Sequence, residues 1–154
     1  MCNGKLVLDI YTRKYLDKSW DWLTDPEIKK MTNTPDFTRE EQELFFLSLP
    51  RENYKIWGLK YDDLEIGVVG LKNINDSSAE YFGYIGDKSY WCKGLSRLIF
   101  ELIRVECVKN NITDIWLRVS RENIMAIKAY EKNGFVVSLE KSTASMLYMN
   151  GEVN

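Results

Sequence analysis

Apolar and polar residues alternate over positions 5–11, where Leu6, Leu8 and Ile10 would share one face. Side chains in a strand point to opposite faces in turn, so this segment predicts a first β-strand. Three further strands are predicted where apolar runs lie between turn-forming residues such as Asp62-Asp63 and 75–77. These predicted strands are 54–61, 65–73 and 79–85.

Helical spacing replaces alternation over positions 13–31, which predict two short helices. The division falls near Pro26, because proline suits the first turn of a helix. A further helix begins at Thr38, where Thr38 and Glu41 have the spacing of a capping box, and Pro50 ends it. The first third of the chain is therefore predicted to be a strand followed by helices.

The second half of the chain alternates between helix and strand patterns. A helix face wide enough to pack on a sheet is predicted at Leu95, Leu98, Ile99, Leu102 and Val105. A buried strand follows at 112–119, then a helix at 122–133 closed by Gly134, then a hairpin of strands at 135–139 and 143–149. The order predicts one α/β domain over residues 1–154, with a mixed, mostly antiparallel sheet flanked by helices.

Composition excludes several classes of function. With a net charge of −2, the chain lacks the basic excess of a general nucleic-acid binder. No apolar run approaches the roughly 20 residues of a membrane span. Cys2, Cys92 and Cys107 form no C-x-x-C pair and there is no signal peptide, so we expect reduced thiols in a cytoplasmic protein.

The chain contains no histidine, which restricts its chemistry further. Ser-His-Asp and Cys-His catalysis are excluded, and so is a zinc site built from histidines. Three scattered cysteines argue against a thiolate metal site, so no metal is expected. A general base would be a carboxylate, a water, or a perturbed Tyr, Lys or Cys.

Residues 91–96, Trp-Cys-Lys-Gly-Leu-Ser, lie between a predicted strand and a predicted helix. Backbone N–H groups at a helix N-terminus are free to bind a phosphate, and the helix dipole favours an anion there. Gly94 would let the backbone approach closely, since it has no Cβ. The loop predicts a phosphate or pyrophosphate site, although many such turns carry a glycine only to reverse the chain.

A second motif lies at 123–135, where Asn123, Ala126, Tyr130 and Gly134-Phe135 recur in the run Asn-x-x-Ala-x-x-x-Tyr-x-x-x-Gly-Phe. Together with the loop, it resembles the acetyl-CoA-binding core of the GNAT acetyltransferase superfamily. The likeness covers about residues 65–140 well. Within the superfamily, the chain is most similar to the branch of ribosomal-protein and amino-sugar acetyltransferases. Its topology is expected to be that of the family.

The resemblance implies a cofactor site for acetyl-CoA as co-substrate. Its pyrophosphate would lie on the loop, and its pantetheine arm would run along the preceding strand, with the Asn123 amide nearby. Cys92 and Ser96 depart from the family, which commonly has Gly or Ala at these positions. The cofactor-binding residues implied are Tyr84, Ile85, Cys92, Lys93, Gly94, Leu95, Ser96 and Asn123.

Each candidate side chain also has an ordinary structural interpretation. Tyr130 is the predicted acid for the departing thiolate, or else a core aromatic. Asn123 could bind cofactor, cap a helix, or do both. Glu80 is the predicted base, with Glu65 a weaker alternative, or else it is a solvated strand residue.

The predicted function is transfer of an acetyl group by direct attack of an amine, with no covalent enzyme intermediate. The best candidate acceptor is the amino group of a nucleotide-linked amino sugar, with Lys29, Lys30, Arg39 and Lys55 as local cations. Alternatives are a polyamine, gathered by the acidic residues Asp17, Asp21, Asp25 and Glu27, a protein N-terminus, or a non-catalytic acyl-CoA-binding module. The expected partner is a small-molecule amine, neither nucleic acid nor membrane, and a homodimer is compatible with the sequence.

Overall fold

Seven strands form one sheet in the computed structural model, which describes residues 4–153. They are β1 (Leu6–Ile10), β2 (Lys55–Tyr61), β3 (Leu64–Asn75), β4 (Ser78–Ile85), β5 (Asp114–Ser120), β6 (Val136–Ser138) and β7 (Met146–Glu152). Their order across the sheet is β1-β2-β3-β4-β5-β7-β6. Neighbours are antiparallel except β4 and β5, which are parallel. The predicted α/β class with a mixed, mostly antiparallel sheet is confirmed.

Helices flank this sheet at the places where capping signals predicted them. The Thr38 and Glu41 side chains form both hydrogen bonds of a capping box, and the Asp25 side chain accepts from the first N–H groups of the next helix. Gly134 follows the last helix with φ +91°, as expected of a C′ glycine. The helices are α1 (Arg13–Thr24), α2 (Pro26–Thr32), α3 (Arg39–Leu47), α4 (Leu95–Lys109) and α5 (Ile124–Lys132).

One face of the sheet is covered by α4 and α5 and holds most of the core. The predicted apolar stripe on α4 is partly wrong, because Val105 is 53% exposed. In a helix, residues four apart stay near the same face, and the buried residues of α4 mostly follow this spacing. The predicted stripe used steps of three as well, which bring Val105 round to the solvent side. The buried residues of α4 are Leu95, Ile99, Phe100, Ile103 and Cys107.

The opposite face is covered over part of its width by α1. Its Tyr15 ring lies against Gly58 of β2, and its Trp22 ring lies against Gly86 after β4. A Cβ at either glycine would collide with the ring, so both glycines permit close packing of helix on sheet. The β4 end is thereby fixed against α1.

The C-terminal hairpin differs in detail from its prediction. The second strand was expected from position 143, but Thr143 and Met146 bond to each other across a turn, and β7 begins at Met146. The N–H of Thr143 donates to the carbonyl of Met146 in this turn, and Met146 is the first residue that pairs with β5, opposite Ser120. Strand β7 lies between β5 and β6, and it pairs with β5 over seven positions and with β6 over three.

The free thiols within the described residues are Cys92, which is exposed, and Cys107, which is buried. Cys2, also expected to be a reduced thiol, lies outside the described residues. No helix within residues 4–153 is both long enough and apolar enough to cross a membrane.

Candidate active site

The strands β4 and β5 pair over only three positions, the last being Glu80 with Trp116. Beyond that point residues 81–85 of β4 continue to pair with β3, and residues 117–120 of β5 continue to pair with β7. Their facing edges do not pair with each other. Main-chain donors and acceptors along these edges are therefore available to an extended ligand. We call this opening the fork.

A short loop leads from the end of β4 to α4 and is held firmly on one side. The N–H groups of Gly86 and Asp87 donate to the Ile66 carbonyl, at 2.8 and 3.0 Å. Trp91 donates its indole N–H to the Ile85 carbonyl at 2.8 Å. Lys88 forms ion pairs with carboxylates at the start of α2, at 3.0 and 2.9 Å. These contacts fix where α4 begins.

The next residues have main-chain donors to spare. Within residues 4–153, no acceptor receives the N–H groups of Cys92, Lys93 and Gly94. Helix α4 has neither a side-chain cap nor an acidic residue in its first turn. Cys92 and Gly94 have φ +59° and +72°, and a Cβ at Gly94 would meet no described atom within 4 Å. The predicted loop therefore presents a cluster of N–H groups and the positive end of a 15-residue helix dipole to one space.

The other predicted cofactor residues lie close to this loop, with different orientations. Ile85 is half-buried at the end of β4, and Leu95 is buried in the core. Ser96 lies on the first turn of α4, where its hydroxyl receives a bond from the Asn133 amide at 3.4 Å. The Tyr84 ring packs edge-on against Trp22 of α1 at 6.2 Å, so only its main chain faces the fork.

Asn123 acts as the cap of α5. Its side-chain oxygen accepts from the Ala126 N–H at 3.2 Å, and its amide donates to the Met31 carbonyl at 3.4 Å. The capping interpretation is thus observed, and Asn123 also ties α5 to the end of α2. A direct contact with cofactor stays a prediction.

Tyr130 packs in an aromatic cluster on the α4 and α5 face. Its ring centroid lies 6.4 Å from that of Tyr81 and 5.9 Å from those of Phe100 and Phe135. No described residue accepts from or donates to its hydroxyl. Burial raises the pKa of Tyr130 to about 12, so the phenol is protonated at neutral pH. It can donate a hydrogen bond but cannot act as a base.

Glu80 is neither exposed nor free, in contrast to its ordinary interpretation as a solvated strand residue. It is 3% exposed. Arg118 of β5 donates to its two carboxylate oxygens at 2.9 and 3.2 Å, and the Asn73 amide donates at 2.8 Å. Tyr81, which contacts Tyr130, is the next residue along β4. Glu80 and Tyr130 therefore approach the fork from opposite faces of the sheet.

Glu65, the weaker alternative base, is the second residue of β3 and pairs with Lys60 of β2. It is 6% exposed and is surrounded by the ammonium groups of Lys14, Lys18 and Lys60, at 3.2, 3.3 and 4.0 Å. Burial opposes its ionisation, but hydrogen bonds from its own backbone and from Lys14 and Lys18 outweigh burial and lower its pKa. A carboxylate with a lowered pKa is a weak base, and its ion pairs with Lys14 and Lys18 connect α1 to β3.

A cleft of about 450 Å³ opens at the fork end of β5. It lies between α2 and the start of β7 and includes Lys29, Lys30, Ser120 and Met146. Its cations are not free, because Lys29 is ion-paired with Asp36 and Lys30 lies 3.9 Å from Glu122. Arg39, another predicted cation, lies 3.8 Å from Asp17 and stacks over Trp20 at 4.3 Å.

Sequence reasoning missed Arg118 and its aromatic neighbours. Trp116 of β5 and Tyr148 of β7 stack with ring centroids 4.8 Å apart and planes 12° apart, and the Arg118 guanidinium lies 5.7 Å from the Trp116 ring centroid. Alternation along β5 would place Trp116 and Arg118 on one face. The pairing of β5 with β4 and β7 joins residues 26 or more positions apart, and local patterns do not predict it.

Comparison with known proteins shows the family of the chain. The family model described as "Acetyltransferase (GNAT) domain" matches residues 5–136. The acetyltransferase PseH of Campylobacter jejuni is 25% identical over 122 residues, which are 75% of this chain and 73% of PseH.

Solved structures share the fold over nearly the whole chain. A domain from Methanocaldococcus jannaschii superposes with TM-score 0.85 at 21% identity, covering 97% of this chain and 99% of that one. Spermidine N-acetyltransferase from Vibrio cholerae, in complex with CoA and spermine, superposes with TM-score 0.83 at 21% identity, covering 96% of this chain and 95% of that one.

Within the described residues, no group of three or more Cys, Asp or Glu side chains could hold a metal ion.

Proposed function

The chain belongs to the GNAT family of acetyltransferases, and on that premise we propose that it acetylates the amino group of a nucleotide-linked amino sugar with acetyl-CoA. The fork supports the use of acetyl-CoA. The main-chain edge of β4 that faces β5 is unpaired there, and it leads directly to the loop of free N–H groups. An extended thioester and its pyrophosphate would have adjoining sites there.

The pyrophosphate of acetyl-CoA would bind the N–H groups of 92–96, with Gly94 allowing close approach. The pantetheine arm would run along β4 at Tyr84 and Ile85. Lys93 is an exposed residue of the loop itself and supplies a positive charge. This placement puts the thioester near the start of the fork, between the side of the sheet that holds Tyr130 and the side that holds Glu80.

In the reaction the acceptor nitrogen attacks the thioester carbonyl carbon, the new C–N bond forms, and the C–S bond breaks. The departing thiolate would receive a hydrogen bond from Tyr130. Because a thiol has an ordinary pKa of about 8.5, far below that of this phenol, Tyr130 stabilises the thiolate by donation more readily than by giving up its proton. The proton lost by the amine would go to Glu80, directly or through a water.

Glu80 can serve as a base only under a constraint. Its carboxylate already accepts three hydrogen bonds, from Arg118 and Asn73. A carboxylate has about four acceptor positions, so one remains for a water or an amine. Because Arg118 and Asn73 occupy the other positions, the proton is expected to pass through a water bound at the remaining one.

Charge distribution supports the sugar acceptor over a polyamine. Of the acidic residues that could gather a polyamine, Asp25 and Glu27 are ion-paired with Lys88, and Asp17 lies near Arg39. A cationic acceptor would have to displace these partners. The similarity to PseH, at 25% identity, also favours this branch of the family.

A thiol-release assay with acetyl-CoA and a panel of amines tests the proposal. The panel contains nucleotide-linked amino sugars, spermidine and N-terminal peptides. We expect release of CoA only with the amino sugars, competitively inhibited by uridine or thymidine diphosphate. Turnover of spermidine, with inhibition by spermidine but not by either nucleotide, would replace this proposal with the polyamine alternative. Binding of acetyl-CoA without turnover of any amine would favour the non-catalytic module.

A further inference from the structure

We propose that the nucleoside diphosphate part of the acceptor binds an open, cationic face of the sheet, an inference that rests on the proposed function and specifies its acceptor site. We call this surface the cationic aromatic face. It consists of Lys72, Phe82, Trp116, Arg118, Lys141 and Tyr148. None of the cations proposed from the sequence, Lys29, Lys30, Arg39 and Lys55, belongs to it.

Strand pairing brings these residues together. Lys72 of β3 is the register partner of Glu80 of β4, and Phe82 is two residues further along β4 on the same side. Arg118 of β5 bonds to Glu80 and is the register partner of Tyr148 of β7. The face therefore crosses β3, β4, β5 and β7 without interruption at the start of the fork.

Each aromatic ring of the face lies beside one cation. Lys72 is 5.5 Å from the Phe82 ring centroid, Arg118 is 5.7 Å from that of Trp116, and Lys141 is 5.1 Å from that of Tyr148. All three rings are half-buried, so part of each is accessible to a ligand. Rings of this kind bind a nucleobase by stacking, largely regardless of its identity.

The cations of the face are available to a diphosphate. Neither Lys72 nor Lys141 forms an ion pair with any residue of 4–153. Arg118 uses its Nε and Nη2 atoms on Glu80, its side chain is 51% exposed, and its Nη1 donors remain. A guanidinium has five N–H donors in one plane, an arrangement that suits phosphate oxygens.

The face is locally positive although the chain has a net charge of −2. Its buried carboxylate, Glu80, is balanced by Arg118. The acidic residues Asp114 and Glu152 share this side of the sheet but lie opposite each other at the far end of their strands, away from the fork. The lysines would repel a polyamine. A diphosphate would lose its bound water on this face but gain charge-assisted hydrogen bonds from the cations.

Binding of uridine and thymidine diphosphate by isothermal titration calorimetry tests this site directly. The protein is first saturated with CoA, so that a nucleotide cannot occupy the co-substrate site. Lys72→Gln and Lys141→Gln should each raise Kd by roughly tenfold, the effect of losing one charge-assisted hydrogen bond. Lys109→Gln, at an exposed lysine ending α4, is the matched control and should leave Kd unchanged.

The base-stacking part has its own variant, Tyr148→Leu. It should weaken nucleotide binding while inorganic diphosphate binds as it does to the natural chain. Raised salt should weaken binding to the natural chain more than to Lys141→Gln, because the variant has one charge fewer to screen.

The outcomes separate this site from the proposed function. Turnover of a nucleotide-linked amino sugar with unchanged KM in Lys72→Gln and Lys141→Gln would overturn the site and leave the function intact. Nucleotide binding that depends on both lysines, without turnover of any amino sugar, would support the site and remove the function. Absence of nucleotide binding to CoA-saturated protein at millimolar concentration would overturn the site.

Discussion

Arg118 and Glu80 form an ion pair with two hydrogen bonds, at 2.9 and 3.2 Å, where the pairing of β4 and β5 ends. Glu80 is the last residue of β4 that pairs with β5, and Arg118 lies two residues beyond Trp116, its partner there. The ion pair therefore connects the two strands at the start of the fork.

Glu80→Gln and Arg118→Gln together distinguish a base from a structural anchor. If Glu80 accepts the proton of the amine, Glu80→Gln should lower kcat by roughly 100–10,000-fold, the range of one acid–base group. Arg118→Gln should retain kcat at saturating acceptor, since it leaves the Glu80 carboxylate in place. Steady-state kinetics and urea denaturation of both variants provide the measurement. If both variants lost kcat to the same extent, and both were destabilised to the same extent, the ion pair would be identified as a structural anchor only.

Gly94→Val should abolish the increase in melting temperature that acetyl-CoA gives the natural chain. The ligand stabilises the folded state by mass action, and a branched side chain at φ +72° would both strain the loop and obstruct the phosphate. Gly134→Val is a matched control, because Gly134 also has a positive φ and open space around it. It should lower the melting temperature but keep the acetyl-CoA shift. A full shift in folded Gly94→Val would disprove this placement of the pyrophosphate.

Tyr130→Phe should lower kcat by roughly 10–1000-fold with nearly unchanged affinity for acetyl-CoA. The ring would still fill its place among Tyr81, Phe100 and Phe135, and no described hydrogen bond would be lost. Stability should therefore hardly change at pH 7. Kinetics at saturating acetyl-CoA measure the effect, and a variant with natural kcat would leave Tyr130 as a core aromatic.

Alkaline pH should destabilise the folded chain through its buried tyrosines. Burial raises the pKa of Tyr130 and of Tyr54 to about 12, whereas an unfolded tyrosine has an ordinary pKa of about 10. The folded state therefore holds more protons between these values, and the free energy of unfolding falls as pH rises from 10 to 12. Denaturant titrations at pH 8, 10 and 11 should show this fall, and Tyr130→Phe should make it shallower. An unchanged pH dependence in the variant would place the Tyr130 hydroxyl in contact with water.

Much of the fold follows from local patterns. The capping box at Thr38, the proline at the start of α2 and the glycine after α5 were each predicted from signals within a few residues. The loop at Gly94 was predicted from its place between a strand and a helix and from a glycine that lets the backbone approach a ligand, both of which are local signals.

The partners of Glu80 and the cationic aromatic face could not be predicted in this way. Glu80 and Arg118 are 38 positions apart, and only the register of β4 on β5 brings them together. Glutamate on a strand next to turn residues is ordinarily solvated, so its burial depends on a guanidinium from another strand. Tyr130 kept two interpretations because its spacing on α5 suits both a core and an active site.

The brevity of the pairing between β4 and β5 also bears on cooperativity. Three residue pairs join β1-β2-β3-β4 to β5-β7-β6 within the sheet, and α4 and α5 pack across the join. A ligand extended along the fork would add main-chain hydrogen bonds where the two parts of the sheet share none. The co-substrate would then contribute to folding as an additional strand does. We therefore expect hydrogen exchange of the amides in 81–85 that face the fork to slow when the co-substrate binds.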